Sequence, residues 1–133
     1  MTGVQTCALP IYHSPKNENH EFNDLTINSS GDLYLSDSHT GQIFYIDHVR
    51  DSLELLFDEG FFVGSNGITL SPDENKLFIA AYAEGIYAIN LENLTYQLIT
   101  TPDNCTTYGI DGLYFYNNSL DRKSTRLNSS HRL

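Results

Sequence analysis

The sequence predicts an all-β fold of repeated four-stranded antiparallel sheets, and three observations carry that prediction. The stretch from Asn23 to Asp47, NDLTINSSGDLYLSDSHTGQIFYID, recurs in kind from Asn66 to Asn90 as NGITLSPDENKLFIAAYAEGIYAIN, and a third copy opens at Asp111 as DGLYFYNNSL. The starts of the copies lie 43 and 45 residues apart, a period that belongs to a propeller blade. Within each copy, short runs rich in Tyr, Phe, Ile and Leu alternate apolar with polar residues and lack helical periodicity. Turn-forming residues bound those runs. One such sheet cannot bury both of its faces, so blades must stack around an axis. A ring needs at least about four blades, and the 133 residues therefore read as a partial β-propeller of about two and a half blades, a fragment of a larger ring.

Residues 12–22 are polar and rich in His and Asn, and read as the end of a preceding blade with its connection. His13 and His20, the acid–base candidates there, are expected in solvent. Residues 23–65 form the first complete blade. Leu25 and Ile27 mark its first strand, Asn28-Ser29-Ser30-Gly31 a hairpin turn, Leu33-Tyr34-Leu35 the second strand, and Ile43 to Ile46 the third, which ends on Asp47. Asp37-Ser38-His39-Thr40-Gly41 reads as a structural corner, because Asp and Ser close local turns by bonding the backbone. His48 and Arg50 are expected to face solvent before a fourth strand, Ser52 to Phe57. The apolar link Phe61-Phe62-Val63 is expected to pack beneath the next blade. Residues 66–110 repeat the pattern, with strands at Ile68 to Leu70, Leu77 to Ile79, Ile86 to Ile89 and Tyr96 to Thr101, a turn at Ser71 to Asn75 and a corner at Gly85. Residues 111–120 begin a third blade.

The two ends stand apart. MTGVQTCALPI at residues 1–11 and the closing stretch at residues 121–133 resemble translated sequencing-adapter read-through, and both are set aside from the functional reading as a tag would be. What remains, residues 12–120, holds three basic residues (Lys16, Arg50 and Lys76) against sixteen acids, a net charge of −13. Such a field repels phosphate backbones and anionic headgroups, so nucleic-acid and membrane partners are not expected. It also concentrates divalent cations, or simply keeps the chain soluble. Cys105 is the one cysteine outside the leader, which leaves neither a disulfide nor a CxxC metal site to argue. The true N-terminus, and any address it carries, is expected to lie upstream.

The chemistry rests on three oxygen-bearing residues. First strands of successive blades line the central channel of a propeller, so Asn23, Asn66 and Asp111, at equivalent points of those strands, are expected to converge on the axis. Two amide oxygens and a carboxylate suit Ca²⁺, or another hard divalent cation, with its six to eight oxygen ligands. The absence of a His or Cys cluster disfavours zinc. Asn and Asp can equally mark blade entry, where special backbone angles are useful. Periodicity alone leaves both readings open.

NDLTINSSGDLYLSDS, NGITLSPDENKLFIAAY and IDGLYFYNN, over residues 22–120, resemble the senescence-marker-protein/gluconolactonase family of six-bladed propellers and, more loosely, the paraoxonases. The resemblance implies that Asn66 and Asp111 are metal ligands. It makes Asn23 a further ligand or a substrate contact, and implies a glutamate from an upstream blade. Members of that family tend to carry an Arg two residues before the first Asn, where this chain has Glu21, so the substrate position is altered. The implied activity is calcium-dependent hydrolysis of a small-molecule lactone or ester, with Asp111 also placed to orient or deprotonate water. The alternative is a non-catalytic propeller similar to NHL-repeat proteins; a strictosidine-synthase-like propeller is a third option.

Overall fold

The computed structural model describes residues 11–13, 19–58, 60–124 and 127–132. The leader expected over residues 1–11, apart from Ile11, and the linker residues 14–18 lie outside them. Blade one consists of β1 (Phe22–Ile27), β2 (Leu33–Asp37), β3 (Ile43–Asp47) and β4 (Ser52–Phe57), and blade two of β5 (Ser65–Leu70), β6 (Lys76–Ala81), β7 (Gly85–Asn90) and β8 (Tyr96–Leu98). Each is an antiparallel sheet whose strands lie side by side in chain order. A third sheet joins β9 (Ile110–Tyr116), β10 (Ser119–Ser124) and β11 (Leu127–Arg132) in antiparallel order. The strand pairing thus runs on through residues that the sequence reading sets aside as a tail.

The turn residues act as their chemistry requires. In the first hairpin Gly31 has a φ of +98°, and the Asn28 Oδ1 accepts from the Asp32 N–H at 2.8 Å. In the second, Glu74 takes the left-handed position at +57° and the Ser71 hydroxyl accepts from the Lys76 N–H at 3.0 Å. These matching hairpins are joined across blades by Glu74, which accepts from the Ser29 N–H at 2.7 Å and from its hydroxyl at 2.8 Å. The corner at Gly41, with φ +73°, is tight for a second reason: a Cβ there would stand 2.9 Å from the Phe62 carbonyl carbon. Strand β8 is shorter than the expected Tyr96 to Thr101, because after one further bond from the Ile99 N–H to the Ile86 carbonyl the chain turns away at Pro102.

Cross-strand partners share a sheet face, so the register sorts the side chains. In blades two and three one face, the leading face, packs on the trailing face of the blade before it. Ile68, Leu70, Leu77, Ile79 and Ile89 of blade two's leading face share a core with Tyr34, Ile43 and Phe57 of blade one's trailing face. Phe62, fully buried, fills the seam between them, as the link around it was expected to do, while Phe61 and Val63 remain exposed. Phe78, Ala80 and Ile86 of blade two's trailing face pack in the same way on Leu113, Phe115 and Leu120 of blade three. Burying each such side chain contributes about 1.5–3 kcal/mol, and these seams hold the sheets together.

Candidate functional site

Asn23, Asn66 and Asp111 are each the second residue of a blade's first strand, β1, β5 and β9. These three strands lie against one another in that order. Glycine sets the spacing at the second junction: a Cβ on Gly67 would fall 2.5 Å from the Leu113 nitrogen and 2.8 Å from the Gly112 carbonyl carbon. Any other residue at 67 would push β5 away from β9.

The side chains of Asn23 and Asn66 touch. The Asn23 amide donates to the Asn66 Oδ1 at 3.1 Å and to the Ser38 Oγ at 2.8 Å. The Ser38 hydroxyl lies 3.0 Å from the Asn66 Oδ1 and 2.8 Å from the Ser65 carbonyl, so its single proton is shared between two acceptors. The Asn66 Nδ2 donates onward to the Ile110 carbonyl at 3.3 Å, one residue before Asp111. Asn66 therefore bridges the first and third blades. Asp111 is half-buried beside this bridge in sequence, and the structure records no direct bond between it and either Asn.

Further polar residues, missed in the sequence, lock β1 and β2 to β5. The Ser36 hydroxyl donates to the Asn66 carbonyl at 2.6 Å, the Ser65 hydroxyl to the Asp37 carbonyl at 2.9 Å, and the Asp24 carboxylate accepts from the Ile68 N–H at 3.2 Å. Ser36 and Ser65 are fully buried. Their one sequence signal was a serine on a strand where the apolar alternation calls for a hydrophobe. Glu21 is exposed and is tied in through its backbone: its N–H donates to the Asp37 Oδ1 at 3.0 Å and its carbonyl accepts from the Ser38 N–H.

The expectation for His20 is corrected. Its side chain is 8% exposed rather than solvated, and its Nδ1 is 2.5 Å from the Oδ2 of fully buried Asp37. The ring stacks on Phe22 and meets the edge of Phe44. Aromatic cover and a buried carboxylate, neither visible from a lone His in a polar run, bring it inward. Asp37 closes the corner as expected, accepting from the His39 N–H at 2.9 Å and the Thr40 N–H at 3.3 Å. Burial works to raise its pKa, but the Glu21 N–H, His20 and Thr40 outweigh it and hold the carboxyl below its ordinary range.

Among the described residues, the one cluster of three His, Cys, Asp or Glu side chains close enough to share a cation is Asp32, Asp47 and His48. It sits at the opposite end of blade one from Asn23, and its members are engaged structurally. Asp32 accepts from the His48 Nδ1 at 2.7 Å and from its N–H at 3.1 Å, which holds its pKa well down. Asp47 closes the following turn through the Val49 and Arg50 N–H groups and pairs with the Arg50 guanidinium at 2.9 Å. His48 and Arg50 face solvent, as expected.

Whether a hard cation fits beside Asn66 turns on its amide. Asn23, Asn66 and Asp111 are all oxygen donors of the type Ca²⁺ takes. With the amide as placed, the Asn66 oxygen is committed to Asn23 and Ser38, and its nitrogen faces the Ile110 carbonyl. Turning the amide over would set two oxygens side by side, an arrangement that a cation between them rewards and nothing else there does. The donor set fits on that condition.

Comparison with known proteins identifies the architecture. No family model matches the chain, and no curated protein does. Among solved structures it is similar to a chain of the mitotic checkpoint complex, with a TM-score of 0.60 at 10% identity over 93% of this chain and 41% of that one. It is also similar to selenomethionine-substituted virginiamycin B lyase from Staphylococcus aureus, with a TM-score of 0.53 at 15% identity over 84% of this chain and 40% of that one. The chain is a partial β-propeller. It spans about two fifths of the length of these structures, and at such identities the likeness is one of fold. No helix among the described residues is long and apolar enough to cross a membrane.

Proposed function

We propose that this chain is part of a propeller hydrolase that holds a divalent cation, Ca²⁺ by donor type, at the first strands of its blades and opens a small lactone or ester. The observation that supports this reading is the bridge from Asn23 through Asn66, at 3.1 Å, to the Ile110 carbonyl, at 3.3 Å, next to Asp111. Asn23, Asn66 and Asp111 would hold the ion, which when bound supplies polarisation of the carbonyl and stabilisation of the oxyanion. Asp111 orients the attacking water and accepts its proton. That water forms the new bond to the acyl carbon, the acyl C–O bond breaks, and the freed alcohol oxygen takes up a proton. Coordination lowers a carboxylate's basicity, so orientation is the larger part of this role. Exposed Glu21 adds negative charge near the strand entrance and favours a neutral substrate over an anionic one.

The test is calorimetric titration with CaCl₂ alongside lactone hydrolysis with and without chelator. The expected result is saturable binding that Asp111→Ala abolishes, and hydrolysis that chelator removes. Binding unaffected by Asp111→Ala, or hydrolysis indifferent to chelator, would refute the reading. A specific observation favours a second one, a non-catalytic propeller of the NHL type: the Asn66 oxygen already has donors within the protein. That reading predicts no calcium binding and no change on Asp111→Ala.

A further inference from the structure

The residue that follows a blade's second strand reaches the entry of the next blade. In blade one that residue is Ser38: its N–H donates to the Glu21 carbonyl at 2.9 Å, and its hydroxyl meets the Ser65 carbonyl and the Asn66 Oδ1 of blade two. The register puts Tyr82 at the same point of blade two, since Ala81 pairs with Ser65 as Asp37 pairs with Phe22. Its N–H makes the matching bond, to the Gly64 carbonyl at 3.0 Å, and its carbonyl accepts from the Gly109 N–H at 2.9 Å. Gly64 lies two residues before Asn66 and Gly109 two before Asp111, so Tyr82 spans the gap between the two strands that carry them. The ring lies along Gly109, where a Cβ would stand 3.9 Å from its Cε2, Cζ and hydroxyl oxygen. Tyr82 is nevertheless 47% exposed. The loop it lies on is anchored, because buried Thr107 comes so close to Gly85 that a Cβ there would stand 2.8 Å from the Thr107 Oγ1.

We propose that Tyr82 determines specificity at the site of Asn66 and Asp111, and that the lactone or ester opened there carries an apolar alkyl or aryl flank that lies on the exposed part of this ring. The inference rests on the hydrolase reading of the site and names its substrate class. An aromatic ring offers a large apolar face with only two side-chain torsions to fix, and here the backbone that carries it is bonded to the entries of both strands. Its counterpart Ser38 spends its side chain on Asn66 within the protein; Tyr82 turns the same position into apolar area open to solvent. Val63 and Tyr108, exposed on the loops that lead into β5 and β9, add to that surface. Covering an alkyl flank on a half-open ring is expected to be worth about tenfold in kcat/KM, the low end of what a hydrophobic pocket returns for one methylene.

The test compares γ-butyrolactone with γ-nonalactone, which share the reacting ring and differ by an alkyl chain. The protein is expected to favour the alkylated lactone by about tenfold in kcat/KM. Tyr82→Phe is expected to keep that preference and Tyr82→Ala to remove it, through a higher KM for γ-nonalactone, as for contacts made equally in the ground and transition states. Tyr82→Ser, which installs the residue blade one has at this position, serves if Tyr82→Ala fails to fold. Calorimetry with cyclopentanone and its pentyl derivative, which have no acyl C–O bond to break, reads the same preference without turnover. Hydrolysis that chelator leaves unchanged would defeat the metal reading, and the ketone pair would still decide this one. A parent protein that does not distinguish the two ketones, a preference that survives Tyr82→Ala, or its loss in Tyr82→Phe would each overturn the proposal.

Discussion

Asn66 does two jobs that mutation can separate. Its oxygen takes the Asn23 and Ser38 donors and its nitrogen serves the Ile110 carbonyl, so Asn66→Ala leaves partners on two blades unsatisfied. With three bonds lost at about 1 kcal/mol each, the loss is expected to be about 3 kcal/mol, read from urea unfolding midpoints. Ser38→Ala removes a proton shared between two acceptors and is expected to cost about 1 kcal/mol, while leaving calcium affinity untouched. A Ser38→Ala variant that bound calcium ten times more weakly would make the hydroxyl part of the ion's site. Asp37 carries the pH dependence at this scale. Its folded pKa is lowered, so its contribution is complete above the ordinary carboxylate value near pH 4 and is lost as pH falls through the depressed folded value. Asp37→Asn is expected to be less stable at pH 7 by about 1.5–3 kcal/mol, the worth of bonds to a charged group, and to show a flatter stability profile in acid. Parallel profiles for the two proteins would assign the acid sensitivity elsewhere.

At the scale of the element, the junction of β5 with β9 depends on a missing side chain. Gly67 has ordinary backbone angles, so its role is to make room: a methyl group would meet the Leu113 and Gly112 backbone at under 3 Å, and backbone cannot step aside as a side-chain tip can. Gly67→Ala is therefore expected to cost about 1–3 kcal/mol, as overpacking does, and to loosen blade three first. Hydrogen exchange would show protection lost in β9 before β2 and β3. Gly41→Ala combines a close approach to Phe62 with a φ of +73°. It is expected to be the more damaging of the two, with the β4-to-β5 link displaced and Phe57–Phe62 packing reduced. Equal melting temperatures for Gly41→Ala and the parent would contradict this account of the corner.

For the whole molecule, the order of the sheets and the positions of Asn23, Asn66 and Asp111 were legible in the sequence. A 43-to-45 residue repeat with alternating apolar positions specifies strand, turn and register by local chemistry alone, because side chains two apart along a strand must share a face. The same repeat placed the three residues on the second position of β1, β5 and β9 without any knowledge of their partners. What the tertiary structure alone decided is where polar atoms find each other across blades: Ser38 and Ser36 against Asn66, Asp24 against the Ile68 N–H, and His20 turned inward onto Asp37. Those contacts join residues 17 to 44 positions apart, and no local pattern encodes them. They depend on how closely one sheet rests on the next, which is set by the volume of the side chains in the seam and by the one position, Gly67, where there is none.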